Sequence, residues 1–358
     1  MDIAAGTSEP MLMYLKLAFL AMEPPNFLIS LARQCGGGSI TPRVQSFILE
    51  HCMGNIVDQG TSYSHTYIRN ILKKIIVDAE SSSDVVVDGL YEEFGQYLTL
   101  NLEEGSQKEN DRIYRQVSFL SSTIDDDVCS KPVNLVVRLV CSLNMLEGDT
   151  GCSLWPSSLF LSEFILSYPE IFSNKFNFEV GSGVGLVGIA LNYVGASKVI
   201  LSDGDMSTLT NMKANVELNC TNGSSNRVAE CKYLPWESAS EAELQQYRPD
   251  IVLGADVIYN PQCLPHLIRV LSILLKPQNR EEVDNRISLH EAEGSPVSYI
   301  ATVVRNLDTF NYFLKLASEA NLLVLNISET AKPLNLLPYM LSYDQSNVRL
   351  LKISLICD

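Results

Sequence analysis

Apolar and polar positions change rhythm along this chain. Early on, apolar side chains recur at three- and four-residue steps, the period of a helix packed on one face. Leu12, Leu15, Phe19 and Met22 make one such stripe. Val44, Phe47 and Ile48 make a second, behind Pro42, which can open a helix. Tyr67, Ile68, Ile71, Leu72, Ile75 and Ile76 make a third. The glycines at 36–38 and the serines at 81–83 read as loops between helices. Segments 85–98 and 133–143 add further apolar surface. Residues 1–130 are therefore predicted to form a mainly helical domain, and they contain no constellation of catalytic side chains.

Beyond about residue 150 the rhythm alters. Short apolar runs at 176–180, 198–202, 227–233, 250–255, 298–303, 322–327 and 348–356 read as strands. Helical patterns at 152–168, 185–194, 206–218, 263–275 and 307–320 separate many of them. Strands alternating with helices predict an α/β fold with a largely parallel sheet over residues 131–358. The polar, charged segment 278–295 reads as a mobile loop.

Composition narrows the class. The chain has 358 residues, 46% of them hydrophobic, enough for one large or two ordinary domains. Its formal net charge of −16 argues against direct nucleic-acid binding and suits a protein partner. Nine cysteines lie scattered without C-x-x-C pairs, which suggests reduced thiols in the cytosol or nucleus, and a cytoplasmic protein is expected. The four histidines do not cluster, so no metal site is expected. Segment 11–22 is apolar but shorter than the roughly 20 residues a membrane span needs, and Lys16 interrupts it. An amphipathic helix is the better reading, and no membrane partner is expected.

Candidate chemistry gathers at 176–190, FNFEVGSGVGLVGIA. Glu179 sits at a strand end, a glycine-rich turn follows, and Asp203 closes the next strand. This is a nucleotide-type cofactor site in an open α/β sheet. Glycines let backbone approach a ligand closely. An acid at Asp203 can accept from two ribose hydroxyls. Gly183, Gly185 and Gly188 also satisfy the dinucleotide pattern G-x-G-x-x-G. A carboxylate at Glu179, however, would repel a pyrophosphate and attract the ammonium and sulfonium of S-adenosylmethionine (AdoMet). The strand at 250–255 ends in Ala255, Asp256 and, three residues on, Tyr259.

Taken together, Glu179–Gly185, Asp203, Leu234-Pro-Trp236 and Asp256-Val-Ile-Tyr259 resemble the seven-strand class I methyltransferases, which share a Rossmann-like sheet. Gly151-Cys-Ser-Leu-Trp155 resembles the segment that precedes the first strand in the lysine methyltransferase branch. Thr302-Val-Val-Arg305-Asn306 and the N-terminal region resemble the subgroup that modifies elongation factor 2. Ser157-Ser158 departs from the usual alanine pair, a change that keeps the volume small. The resemblance implies a last strand inserted antiparallel, and an AdoMet-dependent monomer that methylates a lysine of elongation factor 2. It implies that Glu179, Gly181 and Gly183 hold the methionine end of AdoMet. Asp203, rather than Asp205, would hold the ribose, and Trp236 would lie against the adenine. Trp155 either lines the pocket or packs the core, and Ala255 floors the site. Asp256 would orient the target amine, or else cap the next helix, and Tyr259 would wall the lysine channel. A NAD-dependent oxidoreductase and a catalytically silent adaptor are the competing classes, and a lysine of a different protein is the alternative substrate.

Overall fold

A computed structural model describes residues 8–54, 64–103, 112–121, 133–142, 150–220, 229–277 and 295–356. The segment 278–295 expected as a loop lies almost wholly outside the described residues, as do positions 227–228 of the third expected strand and the expected boundary at 130–131. The chain divides into two compact units. One comprises Met1–Met145 with Asn335–Tyr343, and the other Leu146–Leu334 with Asp344–Asp358.

The first unit opens with α1 (Ser8–Leu20), α2 (Pro25–Cys35) and α3 (Pro42–Phe47), the last running into a π-helical turn at Ile48–Met53. Then come α4 (His65–Ser81) and α5 (Asp88–Glu103). Pro25 and Pro42 each sit in a first turn, where no helical N–H is lost. Ser64 caps α4 by accepting from the Tyr67 N–H. The stripe Ile68, Ile71, Leu72, Ile75 and Ile76 is buried, as the periodicity predicts. An antiparallel hairpin follows, β1 (Arg112–Leu120) against β2 (Asn134–Ser142), with Val117 opposite Val137. Segment 133–143, read only as apolar surface, supplies β2. Its alternation of buried Val137, Leu139 and Cys141 is a strand period. The returning segment Asn335–Tyr343 completes this unit. The Tyr339 hydroxyl accepts from the Ser118 N–H at 2.7 Å, and Ser342 donates N–H and O–H to the buried Glu23 carboxylate.

The second unit holds α6 (Pro156–Ser167), α7 (Pro169–Phe172), β3 (Phe176–Val180), α8 (Leu186–Tyr193), β4 (Lys198–Asp203), α9 (Met206–Cys220) and β5 (Ala229–Tyr233). It continues through α10 (Glu241–Gln245), β6 (Ile251–Ala255), α11 (Leu264–Leu274), β7 (Val297–Val303), α12 (Leu307–Glu319), β8 (Leu322–Asn326) and β9 (Val348–Leu355). The seven strands lie in the order β5-β4-β3-β6-β7-β9-β8. β9 runs antiparallel between β7 and β8, and the other neighbours are parallel. Central strands are buried on both faces, which is why Phe178, Val180, Ile200 and Val252 read as continuous apolar runs. Helices α11 and α12 cover one face through Leu267, Leu271, Phe310 and Phe313. Phe164 meets the Tyr299 ring at a tilt and Phe172 meets it edge-on elsewhere in the core. Gly188 sets how closely α8 lies on the sheet, because a Cβ there would come within 2.5 Å of both Leu201 methyls. Strand order reverses between β3 and β6, and open α/β sheets bind ligands beside the strand ends at such a point. No helix among the described residues is long and apolar enough to cross a membrane.

Candidate functional site

A cavity of about 490 Å³ opens at the carboxyl ends of β3, β4, β5 and β6, within the size range of small-molecule sites. Trp155, Gly181, Gly183, Asp203, Trp236, Ala255, Asp256 and Tyr259 all line it. Glu179, alone of the expected residues, is not among the lining residues. It is 1% exposed, and its Oε2 has no hydrogen-bond partner. Burial raises its carboxyl from 4.5 to about 8, against the pull of a bond from Ser182 and with a further push from Asp203.

The turn after β3 is built for close approach. Gly181 adopts φ +64°, and a Cβ there would lie 2.9 Å from Val257 Cγ1 and 3.4 Å from the Trp236 ring. Asp203 ties this turn to β4, its Oδ2 accepting from the Gly183 N–H at 3.1 Å and its Oδ1 from the Asp205 N–H at 3.2 Å. Burial raises the Asp203 carboxyl, and those N–H donors oppose the rise. Asp205 is occupied locally, accepting from the Thr208 N–H in the first turn of α9. Trp236 is half-buried and packs on the core with one ring edge toward Gly181. Trp155 is also half-buried, and its indole N–H donates to the Thr150 carbonyl at 3.0 Å.

Asp256 leaves β6 with φ +55°, a left-handed conformation costly for most side chains and tolerated by Asp. It does not cap α11, whose N-cap is Cys263. Its Oδ1 accepts from the Val303 N–H at 3.1 Å and from Arg305 Nη1 at 3.2 Å, and its Oδ2 from Arg305 Nη2 at 3.1 Å. Tyr259 stands at the mouth, 61% exposed. Sequence reasoning assigned no role to Arg305, although it lies in a segment already singled out. A carboxylate at an inner strand end with no cation in its own segment was the available signal.

The donor set fits AdoMet. The lining carries four carboxyl side chains, Asp203, Asp205, Glu237 and Asp256, against one cation, Arg305, which is itself paired. That balance would repel a pyrophosphate. The unpartnered oxygen of Glu179 suits an ammonium, and the Gly181 cradle leaves room only for backbone. Sheet order and the inserted β9 are those of the class I methyltransferase fold, and the acid–glycine–acid site at its strand ends suits AdoMet.

Known proteins show likenesses to this chain. The profile of the lysine methyltransferase family matches residues 138–293 of this chain. An uncharacterised protein of Dictyostelium discoideum is 32% identical over 57% of this chain and 59% of its own length. The human protein-lysine N-methyltransferase EEF2KMT is 28% identical over 69% of this chain and 68% of its own. The calmodulin-lysine N-methyltransferase of Arabidopsis thaliana is 33% identical over 36% of this chain and 42% of its own. The chain thus spans about three fifths of the first relative and two thirds of the second.

Proposed function

We propose that this protein methylates a lysine of elongation factor 2, acting as a cytoplasmic monomer on protein rather than nucleic acid. The carrying observation is the reach of the similarity to human EEF2KMT. A match over 69% of the chain is longer than the second unit, so it extends into the first. The similarity to the calmodulin enzyme covers only 36% of the chain. Cys35, Cys52 and Cys263 stand as free thiols, in keeping with a reducing compartment.

AdoMet, when bound, supplies a methyl group on a sulfonium, open to in-line attack by an amine lone pair. The residues divide the remaining work. Glu179 takes the ammonium of the methionine end, turning its unpaired oxygen toward the cavity. Gly181 and Gly183 let the backbone close on that end, and Asp203 accepts from the ribose hydroxyls. Trp236 covers the adenine, Trp155 forms a side wall and Ala255 the floor. Asp256 and Tyr259 face the incoming lysine, the ring of Tyr259 offering its face to a cation before the proton is lost. No strong base is required, because the site acts mainly by lining up donor and acceptor.

The test is transfer of labelled methyl from AdoMet to purified elongation factor 2 and, in parallel, to calmodulin. Label on a lysine of elongation factor 2 supports the assignment. Label on calmodulin alone moves the substrate and leaves the reaction class standing.

A further inference from the structure

Arg305 bridges two walls of the cavity. It reaches from the end of β7 to Asp256 with a two-pronged contact at 3.2 and 3.1 Å. Its guanidinium carbon also lies 5.1 Å from the centre of the Trp155 ring. The Asp256 side chain is 5% exposed and that of Arg305 45%. An ionised carboxylate offers about four acceptor positions. Arg305 takes two and the Val303 N–H a third, which leaves one on Oδ2.

The reaction poses a difficulty at this point. Lysine attacks as a neutral amine, yet its ordinary pKa is about 10.4. A bare, buried carboxylate beside it would hold it as ammonium. We propose that Arg305 is a positioning residue that neutralises Asp256, so the carboxylate can orient the acceptor amine through one N–H without retaining its extra proton. That proton leaves to water. The nitrogen lone pair then forms the new C–N bond as the S–C bond breaks, its electrons passing to sulfur. The inference rests on reading this cavity as a lysine-methylation site, and it does not depend on which protein carries the lysine.

Other charged and titratable groups share the cavity: Asp203 and Asp205 after β4, Glu237 after β5, and Tyr259 and Cys263 after β6. They are common to every variant, so differences between variants report on Arg305.

Arg305→Gln removes the charge, and Arg305→Lys keeps it while losing the two-pronged contact. The first readout needs no turnover. n-Butylamine, cationic at pH 7, is titrated by NMR into protein saturated with S-adenosylhomocysteine. Arg305→Gln should bind it roughly tenfold more tightly than wild type, and Arg305→Lys within about threefold of wild type. The second readout is kcat against pH. Its rising limb should move up by about one unit in Arg305→Gln and by less in Arg305→Lys. Equal or weaker butylammonium binding by Arg305→Gln overturns the proposal, as does a fall in kcat with an unmoved midpoint. Failure of the wild type to label elongation factor 2 would remove that substrate, while the butylamine titration would still decide the role of Arg305.

Discussion

Replacing Glu179 by Gln removes one charge and keeps the shape, and the consequence can be worked out in both directions. In the ligand-free protein the carboxyl is buried, one oxygen is unpartnered, and the pKa is raised from 4.5 to about 8. Between those values the folded chain keeps a proton that the unfolded chain has released. Its contribution to stability is therefore fully present below 4.5, falls as pH rises, and is gone above 8. The slope is about 1.4 kcal/mol per pH unit, so the window sets a ceiling of about 5 kcal/mol. Gln has no proton to lose. Ligand-free Glu179→Gln should thus hold its Tm while the wild type declines from pH 5 to 8, at about 2–4 °C per kcal/mol for a domain of this size. On the proposed reading AdoMet reverses the balance, because its ammonium would pair with the ionised carboxylate. Binding to wild type should release about one proton below pH 8, and affinity should climb with pH toward that value. Melting curves at pH 5 to 9, with and without AdoMet, read the first effect. Calorimetry in buffers of different ionisation enthalpy counts the proton. Glu179→Gln should release none and bind AdoMet about a hundredfold more weakly. Parallel melting profiles for the two ligand-free proteins, or no proton release by the wild type, would refute the reasoning.

Two further substitutions test the turn and the helix behind it. Asp203→Asn leaves one carbonyl oxygen for two N–H donors and weakens any ribose contact, so AdoMet affinity should fall about tenfold or more, whereas Asp205→Asn, at a local helix cap, should change it less than about threefold; equal effects measured by calorimetry would exchange the two roles. Gly188→Ala forces a methyl to within 2.5 Å of the Leu201 side chain and should cost about 1–3 kcal/mol in urea unfolding, and an unchanged midpoint would show that α8 can lift off the sheet without cost.

The second unit was the more legible part of the sequence. β3 falls at 176–180, as its buried apolar run predicts, and β4, β6, β7, β8 and β9 lie within a residue of their expected ends. Local patterning suffices there because each parallel strand is buried on both faces and is followed by a helical period. The β1–β2 hairpin was missed because its alternation is diluted by Arg115, Gln116 and Arg138. Eight of the cavity-lining residues were visible as motifs, Trp155 just before α6 and the others at or just beyond strand ends. The burial of Glu179 and the bond between Arg305 and Asp256 were not visible, since both depend on neighbours supplied by other strands. The same holds for Tyr339, an unremarkable residue in sequence that lies fully buried against β1.

That tyrosine belongs to the segment Asn335–Tyr343, which returns to the first unit after the chain has built nearly all of the second. Synthesis on the ribosome runs in one direction, so the order of manufacture and the order of completion differ. Helices α1 to α5 emerge early, yet Glu23 meets Ser342 across 319 residues and Ser118 meets Tyr339 across 221. A nascent first unit therefore waits with a buried-type carboxylate and an uncovered hairpin edge while the sheet of the second unit is being made. Closure of so long a loop is entropically costly and kinetically slow. During translation the first-made part stays open through most of the second unit's synthesis, and that interval is when a chaperone would find the most to hold.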